Sequence, residues 1–369
     1  MDCPEKCGIC SEHIQHICTG LVEVTGRCDL KCPICYAGGL NPADLSFREY
    51  CARVRDLLRA EGGHLEVLQI SGGEPTIHPL FKRMLRWTAR QDIGRILVNT
   101  HGLRLLLDEE LYEAFLASKD RVELYLQFDG FDRKANRKLR GKDYLDSRME
   151  LLDRLDRDGI KVTLTCTVAV PNLSQVAPVL EEAIRRKHIA GVVFQRMFKV
   201  GRAVHGGPKP VVHDRILDEL VRGGRFKAGD LLPLPCSHPQ CTTIGYLFCE
   251  GGRSIPLNRV IPFRKHIETF ANRIIFGKDV LNYFRRRMKD PDGAWWRPMG
   301  LLASARSFFL HSRFSTFGEG KVLRIMVKNF MDRDNFDVQR VKKCCVGVAV
   351  GKGRIVPFCV KNNLERDSS

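Results

Sequence analysis

Between residues 20 and 200, strand-like runs alternate with helix-like patterns, and this alternation restricts the chain more than any other feature. The β-rich runs are Leu21–Thr25, Leu65–Ser71, Arg95–Thr100, Val122–Asp129, Lys161–Val168 and Gly191–Arg196. Helical patterns fall between them, near 46–60, 79–91, 108–118, 143–158 and 174–188. The first helix opens with a capping box, Ser46 and Glu49, in which each residue satisfies a backbone N–H the helix leaves unpaired. Alternation at this spacing implies parallel βαβ units with right-handed crossovers. The expected α/β fold is a partial (β/α)6 TIM-like barrel open on one side, with a doubly wound sheet as the weaker alternative. In either fold, reactive groups belong on loops at the carboxyl ends of the strands.

The chain holds fifteen cysteines. Its start, Met1-Asp2-Cys3-Pro4, has neither the basic nor the apolar region of an export signal. No apolar run approaches the roughly 18 residues of a membrane span. A cytoplasmic, reducing setting is expected, where grouped thiols bind metal rather than form disulfides. Cys-x3-Cys-x2-Cys occurs twice, as Cys3, Cys7, Cys10 and as Cys28, Cys32, Cys35. Three thiolates so spaced hold three corners of an iron–sulfur cube and leave the fourth iron open.

Strand context separates the two copies. The second follows the first strand directly, on a carboxyl-end loop. The next strand ends in Ser71-Gly72-Gly73-Glu74-Pro75 on the same face. Its glycines allow close backbone approach to a ligand, and Glu74 offers a carboxylate to an ammonium. The first copy precedes any strand, and Cys18 stands ready as a fourth ligand, with His13 and His16 as imidazole alternatives. A closed site is expected there, either [4Fe–4S] or tetrahedral zinc. A third site is expected from Cys236, Cys241, one of Cys344 and Cys345, and Cys359. Cys51 and Cys166 read as small buried residues.

The alternation stops at a Gly/Pro-rich stretch, Gly201 to Pro210. The expected division is a Cys-rich auxiliary segment at 1–19, the barrel at 20–205, and a C-terminal auxiliary-cluster and substrate region at 206–369. Within the last, Phe270–Met288 and Leu301–Phe314 mix apolar residues with basic runs such as Arg285-Arg286-Arg287. Such segments bind a membrane surface, line an apolar tunnel or simply pack. Formal net charge is +17, from 60 Lys and Arg against 43 Asp and Glu. A [4Fe–4S] core on three or four thiolates carries about −1 or −2, so even three clusters leave the chain strongly basic. The excess suits phosphates, nucleic acid or an anionic membrane surface touched peripherally.

With a Cys-x3-Cys-x2-Cys loop after the first strand and Gly-Gly-Glu-Pro after the second, residues 20–200 resemble the radical S-adenosylmethionine superfamily. The resemblance implies that Cys28, Cys32 and Cys35 ligate a catalytic [4Fe–4S] cluster. Gly72, Gly73 and Glu74 would hold the methionine amino group of S-adenosylmethionine, and Ile34 would back its adenine. Asn99, Gln127, Asp129 and Gln195, at later strand ends, are offered to the rest of that molecule. The implied reaction breaks a carbon–sulfur bond with one electron, and a 5′-deoxyadenosyl radical then takes hydrogen from an unactivated C–H bond. A low-potential donor such as ferredoxin or flavodoxin would supply the electron.

A narrower resemblance rests on the Cys3–Cys10 motif, Gly-Gly-Glu-Pro-Thr-Ile-His-Pro, Leu234-Pro235-Cys236-Ser237-His238-Pro239 and Pro357-Phe358-Cys359. It points to a branch that includes tetraether (membrane-spanning) lipid synthase and pterin-methylating enzymes, whose members carry auxiliary clusters. The expected substrate is a lipid alkyl chain, or another anionic small molecule, modified by carbon–carbon bond formation. Pterin methylation and peptide modification are the alternatives, although a peptide substrate calls for a recognition domain that is not legible here. A non-enzymatic iron–sulfur protein bound to nucleic acid is disfavoured, since a structural cluster has no use for an open iron.

Overall fold

In a computed structural model, residues 15–38, 43–204, 206–234, 236–259 and 320–365 are described. The six expected strands form as β1 (Thr19–Thr25), β2 (Leu65–Gly72), β3 (Ile93–Thr100), β4 (Val122–Gln127), β5 (Val162–Val168) and β6 (Ile189–Arg196). They lie parallel and adjacent in chain order. The crossovers carry α1 (Phe47–Ala60), α2 (Phe81–Thr88), α3 (Glu109–Leu116), α4 (Arg133–Arg140), α5 (Leu145–Asp158) and α6 (Val176–Arg185). The capping box closes as expected: Ser46 Oγ accepts from the Glu49 N–H at 3.2 Å, and Glu49 Oε2 accepts from the Ser46 N–H at 2.8 Å. Tyr50, Val54 and Leu57 recur at helical spacing on the buried face of α1.

After residue 205 the chain extends the same sheet at both edges. On one side, β10 (Lys321–Lys328) pairs parallel with β6. Beyond it come β8 (Thr242–Glu250), β7 (Leu232–Pro233) and β9 (Arg253–Pro256), all antiparallel. On the other side, β11 (Val346–Gly351) pairs parallel with β1, and β12 (Arg354–Pro357) runs antiparallel to β11. The sheet therefore ends at β7 and at β12 without closing, and the fold is an open, partial barrel. Among the described residues, three further helices are α7 (His213–Arg222), α8 (Val338–Lys342) and α9 (Phe358–Asn363). Among the described residues, no helix is long and apolar enough to cross a membrane. The expected helices at 270–288 and 301–314 lie outside the described residues, as do Cys3, Cys7, Cys10 and His13.

Both faces of the parallel strands are buried, so they read as nearly continuous apolar runs. Leu68, Ile70, Ile96, Val98, Leu124, Leu126, Val192 and Phe194 pack in the main core with the helices. Alternate residues belong to the bore, where Val67, Leu97, Tyr125, Val193 and Met326 make a separate apolar cluster. Toward the strands' amino ends the bore is polar: Arg324 donates to Glu123 at 3.3 Å and to Thr163 at 3.1 Å. Toward the carboxyl ends, Gln69, Asn99, Gln127, Gln195 and Lys328 line an open cleft.

Candidate functional site

That cleft opens to solvent and, open solvent included, spans about 1150 Å³. Cys28, Cys32 and Cys35 line it on the loop that leaves β1. The loop is braced from two sides. From β6 outward, Arg202 donates its backbone N–H to Cys35 O at 3.1 Å and its guanidinium to Cys32 O at 3.1 Å. Gly201 makes this approach possible, because at φ +60 a Cβ would lie 2.4 Å from Tyr36 O. From β2, the Gly73 N–H reaches Thr25 O and the Glu74 N–H reaches Arg27 O, both at 2.8 Å.

The two glycines expected to approach a ligand thus spend their missing side chains on another part of the protein. A Cβ on Gly73 would sit 2.1 Å from Arg27 O, and one on Gly72 would sit 2.2 Å from Thr25 O. Both residues still line the cleft. Gly73→Ala is expected to push this turn from the cysteine loop, costing about 1–3 kcal/mol by overpacking. The measurement is iron per chain after anaerobic reconstitution, together with the thermal midpoint; unchanged values would contradict the bracing.

Glu74 is buried and already engaged. It accepts from Thr76 Oγ1 at 2.7 Å and from the His101 N–H at 2.9 Å. His101 Nε2 in turn lies 2.7 Å from Asp29 Oδ1, beside Cys28. Burial opposes a charge on His101, but Glu74 and Asp29 outweigh it and raise its pKa. Burial pushes the Cys28 thiol up to about 12, with the Leu30 N–H pulling only partly against it. Burial also raises Cys32, against the opposing charge of Arg140. Thiols so placed ionise only beside added positive charge, so this donor set fits an iron-containing group that takes thiolates.

Asp129 is placed differently from its expected role. It is 1 % exposed and absent from the cleft lining. Its carboxylate accepts from Arg140 Nε at 2.6 Å and Nη2 at 2.9 Å, and from the Thr167 N–H at 2.9 Å. Burial would raise its pKa, yet Arg140 holds it below the usual carboxylate value. Arg140 lines the cleft and faces Cys32. A second buried guanidinium, Arg148, donates to Gln127 Oε1 at 2.8 Å, and burial presses its pKa down to about 10. Of the other expected cofactor residues, Ile34, Asn99, Gln127 and Gln195 all line the cleft. Asn99 donates to Ser71 Oγ at 2.9 Å, and Gln195 donates to the Tyr125 hydroxyl at 3.1 Å.

Sequence reasoning missed both arginines and an aromatic wall. Tyr36, Phe198, Phe330 and Phe358 come from four separate segments and line one side of the cleft. Their ring centroids are 5.8 Å apart for Tyr36–Phe198, 5.3 Å for Phe198–Phe330 and 4.7 Å for Phe330–Phe358. No local pattern links these four positions.

The remaining cysteines regroup. Cys18, expected to complete the first motif, lies with Cys236 and Cys345, the three Sγ atoms all within 4.8 Å of one another. The cause is non-local: β1 and β11 pair with Thr19 opposite Val346, so the residues just before each strand are neighbours. Cys241, Cys344 and Cys359 form a looser second set, with Cys241 Sγ accepting from Arg340 Nε at 3.4 Å. Burial pushes Cys344 and Cys359 up to about 12, and the nearby thiols add to it. The single C-terminal site expected from Cys236, Cys241, Cys344 or Cys345, and Cys359 is therefore divided. Successive side chains at the start of an extended strand point to opposite sides, which sends Cys344 and Cys345 to different sets. Cys51 and Cys166 are buried, as read from the sequence.

Residues 22–183, from β1 through α6, match the model of the radical SAM superfamily. Over 99% of this chain and 80% of the relative, the sequence is 27% identical to 7,8-dihydro-6-hydroxymethylpterin dimethyltransferase of Methanocaldococcus jannaschii. It is 25% identical to a mycofactocin maturase of Mycobacterium tuberculosis, over 74% of this chain and 72% of the relative. Among solved structures, SuiB of Streptococcus suis bound to its precursor peptide SuiA aligns with a TM-score of 0.48 and 22% identity. That alignment covers 56% of this chain and 46% of SuiB, so this chain spans about half of its length.

Proposed function

We propose that this chain, a radical S-adenosylmethionine enzyme with a [4Fe–4S] cluster and S-adenosylmethionine as cofactors, adds methyl groups to carbon of a reduced pterin or a similar planar heterocycle. The observation that carries this reading is the aromatic wall of Tyr36, Phe198, Phe330 and Phe358 beside the three-cysteine loop. A flat, polar ring stacks on such a wall, each aromatic contact contributing about 0.5–1.5 kcal/mol beyond burial. Lys328 supplies an edge donor across the cleft. The likeness to a pterin dimethyltransferase across nearly the whole chain supports the same substrate class. The Phe/Leu-rich region expected to shelter a lipid chain lies mainly at 260–319, outside the described residues.

In this reading, Cys28, Cys32 and Cys35 hold the catalytic cluster. When bound, the cofactors supply one-electron cleavage of a carbon–sulfur bond and the carbon radical that follows. Glu74, fixed by Thr76 and His101, presents its carboxylate to the methionine ammonium. Ile34 packs with Leu139, Ala169 and Met197 as an apolar backing for adenine. Asn99, Gln127 and Gln195 hold the polar remainder, and Arg140 offsets negative charge at Cys32. Cys241, Cys344 and Cys359 are candidates for an auxiliary cluster. The basic surface suits an acidic, low-potential electron donor such as ferredoxin or flavodoxin.

The test is anaerobic incubation of the reduced, reconstituted protein with S-adenosylmethionine and 7,8-dihydro-6-hydroxymethylpterin. Formation of 5′-deoxyadenosine with a pterin heavier by one or two methyl groups is expected. Isotope in the sulfonium methyl group identifies the methyl source. A competently reduced enzyme that forms 5′-deoxyadenosine and leaves the pterin unchanged in mass would reject this substrate class.

A further inference from the structure

We propose that the basic outer face of α4, with Lys31 and Lys142 beside it, is the landing surface for an acidic one-electron donor protein that reduces the catalytic cluster. The inference rests on the reading of Cys28, Cys32 and Cys35 as that cluster's ligands, and it requires no particular substrate. Residues 133–142 hold six Lys or Arg and no Asp or Glu. Ala135, Asn136 and Leu139 are the buried residues of α4, and Arg133, Lys134, Arg137 and Lys138 are exposed. Lys142 is exposed as well, and so is Lys31, which stands between Cys28 and Cys32.

The helix carries these charges against its own stability. Like charges four residues apart repel, as Arg133 does Arg137 and Lys134 does Lys138. Cations in a first turn also oppose the helix dipole, yet Arg133 and Lys134 occupy that turn with no acid in it. The nearby carboxylates are already engaged. Asp143 and Asp146 take up Arg133 at 2.9 and 2.6 Å, and Asp143 stands 3.9 Å from Arg137. Asp132 accepts from the Lys134 and Ala135 N–H groups as the helix cap. Among the described residues, Lys31, Lys134, Lys138 and Lys142 have no carboxylate within ion-pair distance. A patch left unneutralised attracts a partner of opposite charge and speeds its arrival.

Placement ties the patch to the cluster. Helix α4 ends in Arg140, which lines the cleft and faces Cys32. The next residue, Gly141, lies against the cysteine loop: a Cβ there would stand 3.9 Å from Pro33 Cδ and 4.0 Å from Lys31 O. A donor seated on α4 therefore touches the element that packs on the cysteines. Lys31, Lys134, Arg137, Lys138 and Lys142 are not among the residues lining the cleft, so the donor's contacts and the substrate's do not overlap. One electron moves from the donor's reduced centre, which is oxidised, to the cluster, which is reduced. No bond is made or broken in that transfer.

The experiment mixes the reconstituted full chain, without pterin, with reduced flavodoxin, reduced ferredoxin or dithionite. Loss of visible cluster absorption is followed, less the part that Cys32→Ala retains. With the faster of the two proteins, the rate is expected to fall about tenfold or more in K134E/K138E/K142E. A smaller fall is expected in K134Q/K138Q/K142Q, which serves alone should the glutamate variant not fold. The dithionite rate and the iron per chain are expected to hold in both. The unaltered chain should lose the same advantage at an ionic strength of about 1 M, where the Debye length is ~3 Å. Equal rates with the protein donor in all these chains would overturn the proposal. So would a rate indifferent to salt, a dithionite rate that falls in parallel, or no reduction by either protein. Failure of dithionite to bleach any Cys32-dependent absorption would instead overturn the cluster reading beneath it.

Discussion

Changing Cys32 to alanine is expected to remove one cluster's iron and sulfide and to abolish 5′-deoxyadenosine formation. The fall should reach at least about 10⁶-fold, the low end of enzymic acceleration. The loop supplies three cysteines at this cleft and offers no spare thiol, so two ligands remain. The fold should survive, because Cys32 lies on a loop and the barrel core is made elsewhere by Leu68, Ile96, Leu124 and Val192. Near-normal thermal stability with a missing cluster is therefore the expected signature. Retained 5′-deoxyadenosine formation by C32A would remove this loop from the chemistry.

Asp129→Ala should produce the largest loss of stability among single changes near the site, about 3–5 kcal/mol. The reason is asymmetry. Removing both charges of a buried pair can cost little, but removing the carboxylate leaves Arg140 buried close to Arg148, which is itself 2 % exposed. Two uncompensated guanidiniums would then face one another behind Cys32. Asp129→Asn keeps the volume and an acceptor and should fall between the two. The measurement is the denaturant midpoint of the apo chains beside the 5′-deoxyadenosine rate of the reconstituted ones. Equal midpoints for D129A and the unaltered chain would mean that Arg140 finds another partner or reaches water.

This reassignment of Asp129 marks the limit of what the sequence discloses. Each of the first six strands begins within two residues of its sequence-based position, because parallel strands buried on both faces are written as unbroken apolar runs. The cysteine loop and Gly-Gly-Glu-Pro followed from those strands. Asp129 sits at a strand end like its neighbours, and nothing local says that a guanidinium will claim it. That guanidinium arrives on α4, whose sequence Arg-Lys-Ala-Asn-Arg-Lys-Leu-Arg holds only two apolar residues, Ala135 and Leu139. Ala135, Asn136 and Leu139 are buried in it, the Arg140 side chain is 10 % exposed, and Asp132 caps its start. Strand pairing at a distance was equally silent. That Cys18 lies beside Cys345 is not legible until β11 is known to pair with β1. The aromatic wall fails for the same reason, being assembled by topology from four unconnected segments.

The pairing of β1 with β11 also sets a timetable. On the ribosome the chain grows at roughly 5–20 residues per second, so Val346 emerges on the order of tens of seconds after Thr19, its register partner. Throughout that interval the outer edge of β1 has no strand beside it, and an unpaired edge invites pairing with other chains. Helix α1 waits as well, since Arg53 donates to Ala349 O and Asp56 accepts from the Gly353 N–H. The loop bearing Cys28, Cys32 and Cys35 hangs from the far end of that same strand. Its permanent seat is thus completed only once β11 has been made, long after the cysteines themselves.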